Sequence, residues 1–215
     1  MMDTPLSGSI IVRLATMADS EDILTWRNDP ETRKQSHHSD IISEDRHVQW
    51  FTEKLNDPNF CIYIAENTKQ QTSIGVVTFQ YRSDASDALV SMNICPNHRG
   101  QGFGQIVLQK AVASYTAKNT TVLVAEIKTD NPKSQQVFSK CGFAFYHQDE
   151  QTRVYKNKLV IIDAIERIRS KNNVNWMNLM RLAFKTAPHE AEEIFSKINA
   201  DDTTIANLLK QLTLK

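Results

Sequence analysis

The amino-acid sequence predicts an α/β protein of the layered α+β kind, with a mostly antiparallel sheet flanked by helices and a helical appendage behind it. Three observations lead there. Between Ile10 and Lys158, β-branched and aromatic runs of strand length are interspersed with segments whose apolar residues recur at helical spacing. A glycine-rich turn at 99–104 separates one strand pattern from one helix pattern, so a single parallel crossover is built into an otherwise hairpin-rich order. From Leu159 onward no strand pattern remains, which divides the chain into residues 1–158 and 159–215.

Each element follows from local chemistry. Ile10 to Leu14 is a short β-branched strand, and Asp19-Ser20-Glu21-Asp22 supplies a cap and an acidic first turn for a helix carrying Ile23, Leu24 and Trp26. Residues 29–40 read as a polar loop rich in His and Ser. Ser43-Glu44-Asp45 repeats the cap signal before Val48, Phe51 and Leu55, and Asp57-Pro58 stops this second helix near Asn56. Residues 60–66 and 73–81 form a hairpin around the polar Asn67 to Gln71, and 88–95 adds a third strand. Phe103, Val107 and Ala111 then make the apolar stripe of a helix, and 121–128 is again a strand. Asn131-Pro132 opens a helix, with Asn as N-cap and Pro at the first helical position, and Cys141-Gly142 ends it. Residues 143–148 and 152–158 close the domain as a hairpin. In the appendage, Ile161, Ile165, Ile168, Trp176, Leu179, Leu182, Ile194, Ile198, Ile205 and Leu208 keep helical spacing. Pro188 and Asp201-Asp202 mark further starts there, so three or four short amphipathic helices are expected.

Bulk properties narrow the function. The 215 residues carry 25 Lys+Arg against 25 Asp+Glu, so no global field holds a polyanion, and a nucleic-acid-binding role is disfavoured. Met1 to Gly8 has neither a basic flank nor a long apolar run, which argues against a secretory signal or membrane anchor and for a cytoplasmic protein. Cys61, Cys95 and Cys141 are odd in number, far apart and outside any Cys/His ligand spacing. They read as reduced and mostly buried, with no metal site expected.

The sharpest local signal is Arg99-Gly100-Gln101-Gly102-Phe103-Gly104. Glycines let the backbone approach an anion and offer several N–H groups, and the helix N-terminus behind them adds partial positive charge, so a pyrophosphate is the natural ligand. Taken alone, such a turn also suits a dinucleotide fold or a mere tight turn. Four or five elements precede it, whereas the dinucleotide fingerprint opens its domain, and no Gly-Lys-Ser or Gly-Lys-Thr follows as a Walker loop requires.

The hexapeptide resembles the Arg/Gln-x-x-Gly-x-Gly/Ala loop of the GNAT acetyltransferases. Downstream, Asn131, Ser134, Phe138 and Cys141-Gly142-Phe143 are similar to that superfamily's Asn-x-x-Ser/Ala-x-x-x-aromatic-x-x-x-Gly-Phe stretch. The resemblance runs over residues 10–158 in element order and is densest over 88–143. It implies a GNAT-type mixed sheet whose fourth and fifth strands, 88–96 and 121–128, splay apart to admit pantetheine, with acetyl-CoA as co-substrate and no metal. It implies that backbone groups of Ile94 and Cys95 pair with the pantetheine amides. Arg99, Gly100, Gln101, Gly102, Phe103 and Gly104 would hold the pyrophosphate, and Asn131, Ser134 and Phe138 would lie along the cofactor arm. Phe138 departs from the family, many of whose members carry there a Tyr that protonates the departing thiolate. Tyr146, Tyr155 or water would do so instead, or the thiolate leaves unassisted.

An ammonium has no lone pair, so the acceptor amine must give a proton to a base before it attacks. Glu126 is the candidate. Alternation along Val122, Val124 and Glu126 puts the carboxylate on the face of two valines, where a charge is costly unless used or paired. The alternative is a salt-bridged or solvent-facing group near the strand end. Ser91 and Asn93 share a face of the preceding strand, where they either order a water and bind substrate or stand on an ordinary exposed face.

In that superfamily the first two helices and their connection form the acceptor wall, which implies Trp26, Arg27, Arg33, His37, His47 and Trp50 here. Trp26-Arg27-Asn28 followed by His47-Val48-Gln49-Trp50-Phe51 is similar to a GNAT group that acetylates amino sugars on nucleotide carriers, including the pseudaminic-acid and related nonulosonate pathways. The aromatics would stack on a sugar or base and the Arg and His side chains would meet a diphosphate, although each Trp and His47 fits a core position as well. The expected acceptor is therefore a small-molecule amine, the 4-amino group of a nucleotide-linked amino-deoxy sugar used in surface polysaccharide or flagellin glycan synthesis. The alternatives are acetylation of a protein N-terminus of the ribosomal-protein type, and a non-catalytic acyl-CoA-binding module, for which Phe138 speaks. The apolar stripes of 159–215 need a cover, which points to a homo-oligomer or to docking on a partner.

Overall fold

The computed structural model describes residues 9–213, and the chain divides into two units with the boundary between Ile162 and Asp163. In the first unit seven strands form one sheet: β1 (Ile10–Leu14), β2 (Phe60–Asn67), β3 (Thr72–Arg82), β4 (Asp87–Ile94), β5 (Val122–Lys128), β6 (Ala144–Gln148) and β7 (Thr152–Asn157). Their order across the sheet is β1-β2-β3-β4-β5-β7-β6. Every neighbouring pair is antiparallel except β4 and β5, which run parallel. The helices are α1 (Ser20–Asn28), α2 (Pro30–Gln35), α3 (Glu44–Leu55), α4 (Phe103–Thr116) and α5 (Pro132–Lys140).

Period-two alternation on β2 and β3 sorts the core into two layers. Ile62, Ile64 and Val76 pack with Ile23, Trp26 and Phe51 of α1 and α3. Tyr63, Ala65, Val77 and Phe79 pack with Val107, Leu108, Ala111 and Tyr115 of α4, and Tyr115 stacks on Phe79 with ring centroids 4.2 Å apart. Both faces of the sheet are thus covered, and burial of this kind is the main stabilising term. Phe51 is fully buried, and truncating such a side chain to Ala costs about 3–5 kcal/mol.

Two elements differ from the sequence expectation. The segment read as a polar loop contains α2, because Asp29 accepts a hydrogen bond from the Thr32 N–H as N-cap and Pro30 occupies the first turn. The signal is the one that Asn131-Pro132 gives at α5, in a segment whose His and Ser content masks it. After β7 come two long helices, α6 (Leu159–Thr186), whose first turn belongs to the first unit, and α7 (Pro188–Thr213), instead of three or four short ones. No Gly or Pro interrupts 159–187, and Asp201-Asp202 lies inside α7, where solvent-facing carboxylates are tolerated. Among the described residues no helix is long and apolar enough to cross a membrane.

Candidate active site

The parallel pair β4 and β5 is joined over only three rungs, Asp87↔Val122, Ala88↔Leu123 and Leu89↔Val124. Beyond them β4 runs on to Ile94 and β5 to Lys128 without a ladder between the two, and β5 takes its partner from β7. The strands open into a cleft of about 1300 Å³. Its walls are β4 and β5, the turn before α4, the start of α5, and the α1–α3 region.

The turn is held by glycine. Gly100 and Gly102 have φ of +75° and +82°, in the left-handed region, and a Cβ at either would meet nothing within 4 Å, so the chosen residue answers to backbone shape and not to crowding. Gly102 is the N-cap of α4 and provides no side-chain cap, which leaves the first-turn N–H groups facing outward for an anion. Gly75 is different. A Cβ there would lie 2.8 Å from the Asn93 carbonyl oxygen, so β3 approaches the end of β4 closely. The splay, the uncapped helix start and the glycine cradle fit an extended thioester carrier with a pyrophosphate, as coenzyme A is.

Side chains of the loop do other work than expected. Arg99 turns away from the helix start. It donates from Nε to the Ile94 carbonyl (3.0 Å), from Nη1 to Asp29 Oδ1 (2.6 Å) and from Nη2 to Thr32 Oγ1 (2.6 Å). Partial burial pushes the Asp29 carboxyl up, but the Arg99 guanidinium and the Thr32 N–H outweigh it and hold the group below the usual carboxylate range. The Gln101 side chain donates to the Asn97 carbonyl (2.9 Å), so its contribution to an anion is its backbone. The Cys95 N–H bonds the Ile74 carbonyl at 3.0 Å and is therefore committed to β3, contrary to the expected pairing with pantetheine. Alternation then leaves the Ile94 N–H on the open side.

At the other edge, Asn131 caps α5 by accepting from the Ser134 N–H (3.1 Å), and both residues line the cleft. Phe138 lines it too while belonging to the core, in edge contact with Phe143 at 5.0 Å. Tyr146 and Tyr155, the expected substitutes for a tyrosine acid, do not line the cleft: Tyr146 is exposed under Lys156, and Tyr155 is buried against Phe145. Ser134 is a hydroxyl-bearing side chain on the cleft at that edge.

Glu126 lines the cleft in a setting unlike the apolar one expected. Its Oε1 accepts from Arg82 Nη1 at 3.0 Å, and its side chain is 36% exposed, while Val124 is buried. Arg82 is itself fixed by two bonds to Asp87, at 2.7 and 2.9 Å. The carboxylate is thus paired and aimed, which is the arrangement read as the alternative from sequence. Ser91 is exposed on the cleft wall. Asn93 is engaged on both ends of its amide, donating to the Trp26 carbonyl (3.0 Å) and accepting from Thr32 (3.2 Å), so it ties β4 to α1 and α2 instead of offering itself to substrate.

Of the six residues expected on an acceptor wall, four line the cleft. Arg27, His37, His47 and Trp50 line the cleft, whereas Trp26 is buried in the α1 core layer and Arg33 braces the backbone at Asn28 and Ser39. His47 is buried, donates from Nε2 to the Ser20 carbonyl at 2.9 Å and stacks on Phe51, and burial lowers its pKa from the ordinary value. Arg27 donates to the His38 carbonyl, yet its Nη1 is buried without any partner. Burial, and then the neighbouring Arg33 charge, push this guanidinium down from its ordinary value, against a smaller opposing pull from the Asp40 carboxylate. Sequence reading missed Asp29, Thr32, Arg82 and Arg46. The first two were legible in the Asp-Pro cap signal. Arg82 and Arg46 carry no local signal, since only the tertiary fold brings them to the site.

Residues 9–144 match the family described as Acetyltransferase (GNAT) domain. No curated protein matches the chain by sequence. In shape it is similar to spermidine N-acetyltransferase from Vibrio cholerae in complex with CoA and spermine, with TM-score 0.62 and 17% identity over 69% of this chain and 94% of that one. It is also similar to a dodecameric structure of spermidine N-acetyltransferase from Vibrio cholerae in an intermediate state, with TM-score 0.58 and 17% identity over 69% and 93%. At such identity the likeness carries the fold, which is the splayed sheet described above. With the family match spanning more than half of its length, the chain belongs to the GNAT acetyltransferases, N-acetyltransferases that acetylate an amine from acetyl-CoA.

Proposed function

We propose that the acceptor amine belongs to a small molecule that also carries an anionic group, of the nucleotide-linked amino-deoxy sugar class. The observation that supports this reading is Arg27, a half-buried guanidinium on the cleft wall with no carboxylate bonded to it. A cation kept in that state costs stability unless a ligand anion offsets it. Arg46, His37 and His38 line the same wall, and Trp50 offers a partly exposed ring for stacking. In the reaction the amine nitrogen forms a bond to the thioester carbonyl carbon, the carbon–sulfur bond breaks and the sulfur leaves as thiolate. Glu126 takes the amine proton, Arg82 keeps its carboxylate in place, and the Ile94 N–H faces the charge that grows on the carbonyl oxygen. Ser134 or water returns a proton to the sulfur.

A polyamine is the second reading. The fold neighbours from Vibrio cholerae are named as spermidine N-acetyltransferases, and Glu31, Asp40, Glu126 and Asp130 line the cleft with charges a polyamine would meet. Thiol release from acetyl-CoA, measured against UDP- and dTDP-linked 4-amino-4,6-dideoxy sugars, spermidine, spermine and basic N-terminal peptides, separates the readings. Release with the sugar nucleotides, lost in Arg27→Met, is the expected result. Release with polyamines alone, or with peptides alone, overturns the proposal.

A further inference from the structure

Taken by itself, the second unit leaves apolar side chains on both of its helices without a cover from the unit's own residues. On α6, Trp176, Leu179 and Leu182 recur at three-residue spacing and are 56%, 54% and 57% exposed, and on α7 Ile194 and Ile198 stand four residues apart, 56% and 40% exposed. Within the unit, Phe184 stacks on Phe195 and Ala191 is buried near the turn, yet these stripes stay open. Such stripes on helices of 28 and 26 residues, each about 40 Å long, call for a cover.

Charge says what the cover is. Over Leu159–Thr186 there are five Lys/Arg against two Asp/Glu, a net +3, and over Pro188–Thr213 five Asp/Glu against two Lys/Arg, a net −3 with His189 neutral. Among the described residues no ion pair joins α6 to α7, and Arg181, Lys185, Glu190 and Glu193 are all exposed. A two-fold axis makes a surface its own partner. A basic helix beside an acidic one suits that operation when α6 of one copy lies on α7 of the other, since both contacts are then attractive, whereas α6 on α6 would oppose +3 to +3. Stable interfaces take about 20–30 residues from each side, which two helices of this length supply.

We propose that α6 and α7 form a dimerisation module whose occupant is a second copy of this chain, basic helix on acidic helix in both directions. The test uses the full chain and two charge-reversed forms, Arg169→Glu/Arg181→Glu/Lys185→Glu on α6 and Glu190→Lys/Glu193→Lys/Asp201→Lys on α7. Analytical ultracentrifugation should show a dimer for the parent and a dimer dissociation constant raised at least about tenfold in each variant alone. An equimolar mixture of the two variants should recover the dimer as a heterodimer, because charges complement only across chains in that mixture. A pairing within one chain would not be restored by mixing. Coenzyme A binding in the first unit and the far-UV helix signal serve as folding controls. If a reversed form loses its helix signal, Leu179→Ser/Ile194→Ser replaces it, and the same weakening of the dimer is expected. A monomeric parent, an association unchanged in the variants, or a mixture that stays dissociated overturns the proposal.

Discussion

The two walls of the cleft are made of different material. The wall proposed for the cofactor is backbone: two left-handed glycines, an uncapped helix start and a strand edge freed where β4 leaves β5. The wall proposed for the acceptor is side chain: Arg27 on α1, His47 and Trp50 on α3, both helices packed into the first core layer, and His37 in the connection after α2. Backbone reads the part of a substrate that every member of a family shares, since it changes little with sequence. Side chains read the part that differs. Substitutions on one wall should therefore leave the kinetics of the other substrate nearly untouched.

The largest effect belongs where the walls meet. Glu126→Gln should lower kcat by about 10²–10⁴, the usual scale for losing a general base, with both KM values nearly unchanged. A fall of less than threefold in steady-state turnover removes Glu126 from the chemistry and returns it to the structural ion pair with Arg82. Next comes the cofactor wall. A β-branched residue in the left-handed region costs more than the ~1–2 kcal/mol of an ordinary side chain. Gly102→Val should thus raise the KM for acetyl-CoA by about 10–100-fold and leave the acceptor KM within about twofold. Equal rises in both would show that the walls are not separable.

Arg99 sharpens the comparison because it stands in the cofactor motif and bonds to the acceptor side. Its three hydrogen bonds run to the Ile94 carbonyl, Asp29 and Thr32, and Thr32 in turn donates to Asn93. Arg99→Met keeps the stem and removes the fork, leaving the Asp29 carboxylate without its cation. A loss of about 1–3 kcal/mol is typical for such a charged pair. The acceptor KM should rise about tenfold and the acetyl-CoA KM by less than threefold. The reverse split would put Arg99 on the cofactor wall, as its position in the motif suggests.

Much of the cofactor wall was legible because backbone devices have sequence signatures. Glycines at 100, 102 and 104 and Asn131-Pro132 announce a turn, a cradle and a capped helix without reference to anything distant. The β2/β3 and β6/β7 hairpins follow from short polar links and the splayed β4/β5 pair from the resemblance, whereas β1 beside β2 and β5 beside β7 have no local signal. What sequence reading could not reach are contacts made across the fold. Arg82 is 44 residues from Glu126 and Arg99 is 70 from Asp29, and no local pattern relates them. Trp26 and Trp50 have the same helical context in sequence, yet one is buried in the core and the other looks into the cleft. Their fate depends on how α1 and α3 rotate against β2 and β3. The start expected at Pro188 is where α7 begins, whereas Asp201-Asp202 has no breaker before it and lies inside that helix.

The smallest expected effect tests whether the acceptor wall, alone of the two, carries a proton switch. Burial lowers the His47 pKa from its ordinary value of 6.5, against the opposing pull of the Ser20 carbonyl. The folded protein therefore keeps the ring neutral where the unfolded chain has begun to protonate it. Below that value the unfolded state binds the extra proton, so stability falls as pH drops through it and is level above. The paired carboxylates Asp19 and Asp29, both held below the carboxylate range, lose their contribution only at much lower pH and leave this window clear. The melting temperature should thus decline from about pH 7.5 to about pH 5.5, and the decline should vanish in His47→Gln, which retains a donor for Ser20. Loss of stacking on Phe51 lowers the variant's stability at every pH, so the readout is the slope and not the midpoint. A slope that survives the substitution would place the titrating group elsewhere and leave the acceptor wall without a switch of its own.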